Sequence, residues 1–465
     1  MLSAHTVGDI RAAEEALAAT LPDGELMQRA ARGLADRLAL IPAGDVVLCL
    51  VGPGNNGGDA LFAATHLLDR GVRVDLCLLD DAKVHPAGLA AATAAGAQVV
   101  PAPGGQRWCL DAIFGIGARG GLSGKAAEWA TWIDESLPYV VAVDVPSGVD
   151  VDGATLPSAY VRADTTVTFG TYKAALLADP AATAAGTTTL VDIGLAPHLP
   201  SPSIEAIEAS DGHLLDAVLP GESAHKYSRG VVGIAAGSEQ YAGAAHLCVA
   251  GAQAGPAGMI RFVGSTGLTQ RVVDRAPEVV AGRSRVQAWV VGPGGGDDAE
   301  AQLAMALEDG VPVVVDASAL QHLPDTFDVP ALLTPHAGEL ATMLGTTREQ
   351  VEADPLGHAT AAAGRWNATV LLKGRRTLVA QVGAPTRVNR SGSPWLGTAG
   401  AGDVLAGFAG SLLAAGLDPR DAGSVAAYLH GMAAVQVNPD GPIVATDVAY
   451  ELPATVAAFI QGSLA

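Results

Sequence analysis

Residues 397–403 read Gly397-Thr398-Ala399-Gly400-Ala401-Gly402-Asp403 and lead directly into an apolar run, Val404 to Leu417. The run predicts a buried helix, so the N–H groups of the glycine loop and the positive end of the helix should converge on one point. We therefore expect an anion to bind there. Asp403 has two interpretations at this stage: a cap of the helix N-terminus, or a carboxylate that acts on a bound group.

The rest of the chain alternates short β-branched runs with Ala- and Leu-rich segments, a pattern typical of helices around a mainly parallel sheet. Its 465 residues exceed what one hydrophobic core usually organises. Between Asp192 and Asp211 the alternation is lost and prolines accumulate. We predict two α/β domains, residues 1–205 and 206–465.

Strands are predicted by short apolar runs between turn signals. In the first half they are Val46–Val51, Val72–Leu79, Leu110–Phe114, Tyr139–Val145 and Thr165–Phe169. In the second half they are Val231–Ala236, Ala288–Val291, Val311–Val315 and a hairpin of Thr369–Lys373 with Leu378–Val382.

Charge and cysteine content restrict the kinds of partner that the protein is expected to bind. The formal net charge of −21 disfavours nucleic acid, and no Lys/Arg cluster offers a local exception. The apolar run at Val404 is shorter than the ~20 residues of a membrane-spanning helix. Four scattered cysteines in apolar runs read as buried free thiols, which favours a reducing, cytoplasmic setting. We expect small-molecule ligands and a homo-oligomer, with no membrane or nucleic-acid partner.

The glycine loop resembles the anion-hole motif of the ribokinase-like superfamily, in which the aspartate deprotonates a substrate hydroxyl. Three further stretches resemble segments of the ADP-dependent NAD(P)H-hydrate dehydratases, in the same order. They are His225 to Ser238 with Tyr241-Ala242-Gly243-Ala244-Ala245, Leu333-Thr334-Pro335-His336-Ala337-Gly338-Glu339, and Lys373-Gly374-Arg375-Arg376-Thr377. Taken singly, His336 reads as a capping histidine and Lys373 to Thr377 as a hairpin tip.

This resemblance implies a three-layer, ribokinase-like C-terminal domain with a site for nucleotide and hydrated cofactor. It places Lys373, Gly374, Arg375, Arg376, Thr377 and Gly402 around the nucleotide, with Mg²⁺ accompanying ADP. It places Ala244, Gly294, His336 and Asp403 around the hydrate. The sequence does not decide between ADP and ATP, although the fused arrangement favours ADP. Gly-Ala-Gly-Asp stands where family members often have Gly-Met-Gly-Asp, which weakens the distinction from sugar and vitamin kinases.

A second glycine-rich stretch lies in the first half, between the strand Val46–Val51 and a predicted helix Ala60–Leu68. It reads Gly52-Pro53-Gly54-Asn55-Asn56-Gly57-Gly58-Asp59. Ligands of open α/β sheets bind where strands end, although this stretch could also be a simple turn. Downstream strands end in two further segments, Asp111 to Gly121 and Val143 to Gly148, which carry the carboxylates Asp111 and Asp144. The three strand ends should therefore meet at one edge of the sheet as one site.

Residues 1 to 205 resemble the NAD(P)H-hydrate epimerase family, which implies a Rossmann-like three-layer domain. The resemblance implies that the hydrate is bound by Asn55, Asn56, Gly57, Gly58, Asp59, Gly115, Ile116, Gly117, Ala118, Arg119, Gly120, Gly121 and Asp144. It implies that K⁺ is bound by Asn56, Asp111 and Ser147. Asp144 is the acid/base candidate, since epimerisation needs opening or loss of a hydroxyl beside the ring nitrogen.

The combined interpretation is a bifunctional enzyme that epimerises the hydrates NADHX and NADPHX and dehydrates the S form at the expense of ADP, giving AMP and phosphate. One alternative is a ribokinase-like enzyme that phosphorylates a vitamin precursor. Another makes the N-terminal domain a binding or scaffold module.

Overall fold

The fold comes from a computed structural model that describes residues 1–117 and 120–464. The chain divides into two compact units, residues 3–204 and residues 205–465 together with Met1 and Leu2. Within the described residues, no helix combines the length and the hydropathy that crossing a membrane requires.

The elements of the first part alternate strand and helix. The strands are β1 (Leu2–Ala4), β2 (Val46–Val51), β3 (Arg73–Leu78), β4 (Gln98–Val99), β5 (Trp108–Ala112), β6 (Tyr139–Val143), β7 (Thr165–Phe169) and β8 (Thr187–Val191). The helices are α1 (Val7–Ala18), α2 (Glu25–Arg37), α3 (Asn55–Asp69), α4 (Pro86–Ala95), α5 (Gly124–Ser136) and α6 (Ala174–Leu177).

Seven of these strands form a parallel sheet in the order β4-β3-β2-β5-β6-β7-β8. Both faces of β2 are buried, because Val47 and Cys49 pack into one apolar cluster while Leu48 and Leu50 pack into another. This is the predicted three-layer arrangement. The strand order reverses between β2 and β5, which marks the position where such sheets bind ligands.

The second part follows the same principle. Its strands are β9 (Ile204–Ala206), β10 (Val231–Ala235), β11 (Met259–Phe262), β12 (Val280–Ala281), β13 (Ala288–Val291), β14 (Val313–Val315), β15 (Ala331–Leu333), β16 (Thr369–Leu372), β17 (Thr377–Ala380) and β18 (Thr386–Asn389). Its helices are α7 (Ala242–Ala254), α8 (Thr266–Arg275), α9 (Ala299–Glu308), α10 (Ala337–Leu344), α11 (Arg348–Ala353), α12 (Pro355–Trp366), α13 (Ala401–Ala415), α14 (Pro419–Val437) and α15 (Ala445–Ile460).

The strands of this sheet run in the order β1-β9-β18-β17-β16-β15-β14-β13-β10-β11-β12. Pairing is parallel from β12 to β16 and antiparallel across β16, β17 and β18, which confirms the predicted hairpin. The order reverses between β10 and β13, so the second ligand position is expected beside the turns that follow these two strands.

Three predicted boundaries were wrong. Helix α3 begins at Asn55 and not at Ala60, so the Asn-rich stretch is its first turn and not a loop. Helix α13 covers Ala401–Ala415, so it starts near Gly402 as predicted, after the cap Gly400 with φ +89°, but it ends before the apolar run reaches Leu417. Strand β6 ends at Val143, because Asp144 adopts φ +70° and turns the chain away from the sheet.

The packing of α13 against α7 predicts opposite outcomes for two helical glycines. A Cβ at Gly407 would lie 1.9 Å from the carbonyl oxygen of Cys248, whereas a Cβ at Gly364 in α12 meets no atom within 4 Å. We expect Gly407→Ala to lower the free energy of unfolding by about 2 kcal/mol or more. Gly364→Ala should raise it by about 1 kcal/mol, because alanine is the better helix former. Calorimetric melting of the full chain tests both, and equal shifts would contradict the close approach.

Candidate functional sites

The turns that follow β2, β5 and β6 meet at one edge of the first sheet, as predicted from the strand ends. They line a cavity of about 1110 Å³ to which helix α1 also contributes. The predicted site residues that line it are Asn55, Asn56, Asp59, Gly115, Ile116, Gly117, Gly120, Gly121 and Asp144. Gly57 and Gly58 lie beneath its wall, while Ala118 and Arg119 are outside the described residues.

The close packing explains why glycines stand in the first turn of α3. A Cβ at Gly57 would lie 2.4 Å from the carbonyl oxygen of Gly52, and one at Gly58 would lie 2.9 Å from the Met27 side chain. Both residues are buried. They therefore let the start of α3 approach the end of β2, and they bring Asn55, Asn56 and Asp59 to the cavity.

Asp111 and Ser147 form a buried pair below the cavity. Ser147 donates to the Asp111 carboxylate from its N–H at 2.8 Å and from its hydroxyl at 2.6 Å. Burial raises the pKa of Asp111 to about 6, although the Ser147 hydrogen bonds oppose the shift. With its amide oriented to satisfy both neighbours, Asn56 donates to Val143 O at 3.0 Å and accepts from Gly115 N at 3.3 Å.

Asp144 combines an uncommon backbone conformation with a buried lysine partner. Its φ of +70° is uncommon outside glycine, and such outliers concentrate at functional sites. Lys173 is 1% exposed and donates to the Asp144 carboxylate at 2.5 Å, to the Thr168 hydroxyl at 2.8 Å and to Phe169 O at 3.1 Å. All three ammonium protons therefore have partners.

Two further carboxyl groups line the same cavity, Asp59 in α3 and Glu14 in α1. Burial, Asp144 and Glu14 together raise the pKa of Asp59 well above its usual value. Burial and Asp144 raise the pKa of Glu14, whereas Lys173 and Arg11 oppose that shift. Three carboxyls thus line the cavity with Arg11, and the buried Lys173 ammonium pairs with one of them, Asp144.

The second site lies at the carboxyl edge of the second sheet. Gly294, in the turn after β13, has φ +59°, and a Cβ there would come within 2.3 Å of the Ala244 Cβ in α7. These two predicted residues are therefore neighbours. Gly402 lies in the first turn of α13, and a Cβ there would stand 3.5 Å from the Lys373 ammonium.

Asp403, in the same first turn, belongs to a charged cluster with Lys373 and Asp316. Lys373 Nζ donates to Asp316 Oδ1 at 2.9 Å and lies 3.8 Å from Glu339 Oε2. Burial and, to a smaller extent, Asp316 raise the pKa of Asp403 to about 6, although Lys373 opposes the shift. Burial by itself would lower the pKa of Lys373, but Asp316 and Glu339 reverse the direction and keep the lysine charged.

His336 occupies the cap position of α10, as its simpler interpretation anticipated. Its Nδ1 accepts from Glu339 N at 3.0 Å, and the Glu339 carboxylate accepts from His336 N at 2.8 Å. The imidazole is still mostly exposed, and its segment pairs with Lys373 through a parallel bridge. Capping therefore places His336 beside the charged cluster, while most of its imidazole ring stays exposed to solvent.

The segment from Lys373 to Thr377 connects β16 to β17. Lys373 directly follows β16, and Thr377 begins β17. Gly374, Arg375 and Arg376 form the turn between them. Since Lys373 N donates to Pro335 O at 2.8 Å, the turn starts next to the His336 segment.

Comparison with known proteins assigns both halves. The family described as NAD(P)H-hydrate dehydratase matches residues 232–452, and the family described as YjeF-related protein N-terminus matches residues 23–175. Bifunctional NAD(P)H-hydrate repair enzyme Nnr of Mycobacterium leprae is 43% identical over 452 residues, covering 92% of this chain and 93% of its own. The chain belongs to the bifunctional NAD(P)H-hydrate repair enzymes.

Two solved structures are similar to the dehydratase half of this repair enzyme. An ADP/ATP-dependent NAD(P)H-hydrate dehydratase from Bacillus subtilis, co-crystallised with ATP and Mg²⁺, is 26% identical with a TM-score of 0.50, covering 53% of this chain and 97% of its own. A ribokinase-like superfamily protein from Enterococcus faecalis is 20% identical with a TM-score of 0.50, covering 57% of this chain and 99% of its own. The predicted ribokinase-like fold is confirmed.

Sequence reasoning missed several charged groups of the repair enzyme. Asp316 directly follows β14, just as Asp144 directly follows β6, and that position after a strand was the available signal. Lys173 is the single charged residue between Thr165 and Leu177, and this isolation was a second available signal. Nothing in the sequence of α1 distinguishes Glu14 from the exposed Glu15 beside it.

Proposed function

We propose that residues 206–465 dehydrate the S form of NADHX and NADPHX, using ADP and releasing AMP and phosphate. The observation that carries this proposal is Asp403 in the first turn of α13, beside Gly402 and the Lys373 ammonium. An ionised carboxylate can accept the proton of the ring hydroxyl while nearby N–H groups and the ammonium stabilise phosphoryl transfer.

The phosphate installed in this way is a leaving group. Hydroxide leaves poorly, but once the oxygen carries a phosphoryl group, the lone pair of the ring nitrogen can expel phosphate. Loss of a proton then restores the dihydropyridine. In this proposal Lys373, Gly374, Arg375, Arg376, Thr377 and Gly402 hold the nucleotide, and Ala244, Gly294 and His336 hold the hydrate.

Mg²⁺ is proposed to accompany the nucleotide. The described residues contain no group of three His, Cys, Asp or Glu side chains arranged for a metal ion. Mg²⁺ would therefore be held mainly by nucleotide phosphates and water, as is usual for this ion. The carboxylates of Asp316 and Glu339 lie 2.9 Å and 3.8 Å from the Lys373 ammonium, so they partly neutralise its positive charge.

Residues 1–205 are proposed to interconvert the R and S hydrates, so that the whole damaged pool passes to the dehydratase. Asp144 is the acid/base group, and the hydrate occupies the cavity lined by Asn55, Asn56, Asp59, Gly115 to Gly117, Gly120 and Gly121. The proposed role of Ala118 and Arg119 in binding the hydrate follows from the resemblance and falls outside the described residues.

Asn56, Asp111 and Ser147 suit a K⁺ ion. They offer carboxylate, hydroxyl and amide oxygens, and among the described residues no lysine or arginine pairs with the buried Asp111 carboxylate. A bound monovalent cation would supply that missing charge. The homo-oligomer and the cytoplasmic setting stay predictions.

The assay that tests this function mixes the purified chain with both hydrate epimers and either ADP or ATP. We expect the near-ultraviolet absorbance of the reduced cofactor to recover completely, with one nucleotide preferred. Recovery of the S half alone would show that the first domain is no epimerase and would favour the scaffold alternative. A stable phosphate ester in place of free phosphate would favour a vitamin-precursor kinase, which the epimerase-like half argues against.

The pKa of Asp403 predicts how dehydration depends on pH. Since this pKa is about 6 and the base must be ionised, kcat should rise as pH increases through about 6 and then level off. Initial rates with the S epimer between about pH 5 and 8 measure this dependence. A rate that does not change over this range would rule out Asp403 as the proton acceptor.

A further inference from the structure

The position and the surroundings of the Asp59 carboxyl group point to a role in addition to substrate binding. Its carboxyl group lines the cavity, is partly buried, and makes no hydrogen bond or ion pair with any other residue in the described part of the chain. Asp144 lines the same cavity but forms an ion pair with Lys173. The two carboxyls are therefore chemically unlike each other.

The two carboxyl groups come from different elements of the fold. Asp59 belongs to the helix that follows β2, whereas Asp144 follows β6, and β5 lies between these two strands in the sheet. Both side chains line the same cavity of about 1110 Å³, which is large enough for a nicotinamide ring. Enzymes that invert a sugar carbon likewise use two carboxyls, one on each face of the ring.

The surroundings of the two carboxyls differ. Burial, Asp144 and Glu14 raise the pKa of Asp59 well above its usual value, which favours its protonated form, whereas Asp144 has a lysine partner. Arg11 from α1 lines the same cavity, the His85 ring lies against Gly58 next to Asp59, and Lys173 after β7 pairs with Asp144. Two carboxyls in such different environments form a natural pair of acid and base.

We propose that Asp59 is a second catalytic residue of epimerisation, donating a proton to the departing hydroxyl from one side of the ring while Asp144 accepts one on the other. This inference rests on the proposed epimerase function. The C–O bond breaks with its electron pair going to oxygen, which takes the Asp59 proton and leaves as water. The lone pair of the ring nitrogen forms the C=N bond of an iminium ion.

Water then adds to the opposite face of that carbon. Its oxygen forms the new C–O bond, the C=N pair returns to nitrogen, and Asp144 takes the proton. One proton has moved from Asp59 to Asp144, and no other reactant is consumed. The reverse reaction uses the same two groups in exchanged roles, as an epimerase acting in both directions requires.

The test uses Asp59→Asn in the full chain, with the pure R epimer and no nucleotide, and follows the appearance of S by chromatography. We expect the rate to fall by about 100-fold or more, while KM for R changes little, because a proton donor contributes mainly to the chemical step. Asp134→Asn, on the exposed surface of α5, is the matched control and should leave the rate unchanged. Dehydration of S should be normal in both variants.

A second measurement on the unaltered chain tests the route itself. In ¹⁸O-labelled water, loss and re-addition of water places one solvent oxygen in the product for each inversion, whereas ring opening and closure without water loss keeps the original oxygen. Retention of the original oxygen would overturn the proposal, even where Asp59→Asn fails to fold.

The outcomes separate this inference from the function on which it rests. If the unaltered chain does not accelerate R-to-S exchange, the proposed epimerase function fails. If the unaltered chain is active and folded Asp59→Asn keeps more than about a third of its rate, Asp59 is not the proton donor. Asp59→Glu, which retains a carboxyl group, should recover part of the rate lost in Asp59→Asn.

Discussion

Asp403→Ala is expected to lower the rate of dehydration by about a thousandfold or more, because it removes the only group proposed to accept the proton of the substrate hydroxyl. Epimerisation should be unchanged, since its proposed residues all lie within residues 3–204 and Asp403 belongs to the other unit. The measurement is kcat for the S epimer with ADP, beside the R-to-S rate without nucleotide.

Asp447→Ala is the matched control for this variant. Asp447 is exposed in the first turn of α15, at the same third helical position that Asp403 has in α13. A carboxylate near a helix N-terminus stabilises by about 0.3–1 kcal/mol. If Asp403 were only such a cap, both variants would lose a little stability and neither would lose activity.

The free energy of unfolding of the two variants should also distinguish Asp403 from Asp447. The pKa of Asp403 is about 6 against an ordinary value of 3.8, so between these values the native protein binds more protons than the unfolded chain. Its contribution to stability is present below 3.8 and is lost as pH rises through 6. Near neutral pH, Asp403→Ala should therefore raise the free energy of unfolding, whereas a drop would contradict the charge environment of the site.

Lys173→Met is expected to lower the free energy of unfolding by about 3 kcal/mol and to reduce epimerisation by about 100-fold. The Lys173 ammonium is the cation paired with the Asp144 carboxylate, and its loss leaves that carboxylate in the cavity wall without its partner. Asp144 already carries the strain of φ +70°, so the turn should relax when the ion pair is gone.

Lys83→Met serves as the control for this second variant. Lys83 pairs with Asp80 on the surface, where its side chain is 71% exposed, and such pairs contribute little to stability. Melting and R-to-S rates of both variants check the prediction. If Lys173→Met melted like Lys83→Met and kept its epimerisation rate, the buried pair would have no part in holding Asp144.

Much of the two sites was predictable because strand ends and glycines carry local signals. The strands Val46–Val51, Leu110–Phe114 and Tyr139–Val145 were predicted within two residues of their observed bounds, and parallel pairing then places the turns after them at one edge. The hairpin of β16 and β17 was also predicted, with Lys373 next to its turn. The spatial neighbours of Lys373 could not be predicted, because Asp316 and Glu339 lie far from it in the sequence.

The sequence by itself determined the fold class, the alternation of strands and helices, and the types of residue that follow the central strands, since hydrophobic periodicity and glycine preferences are local properties. Only the tertiary structure decided which charges face each other. It paired Lys173 with Asp144 and Lys373 with Asp316, and left Asp59 without a cation among the described residues. The reason is physical: burial and the distances between charges set protonation, and both depend on how separate elements pack.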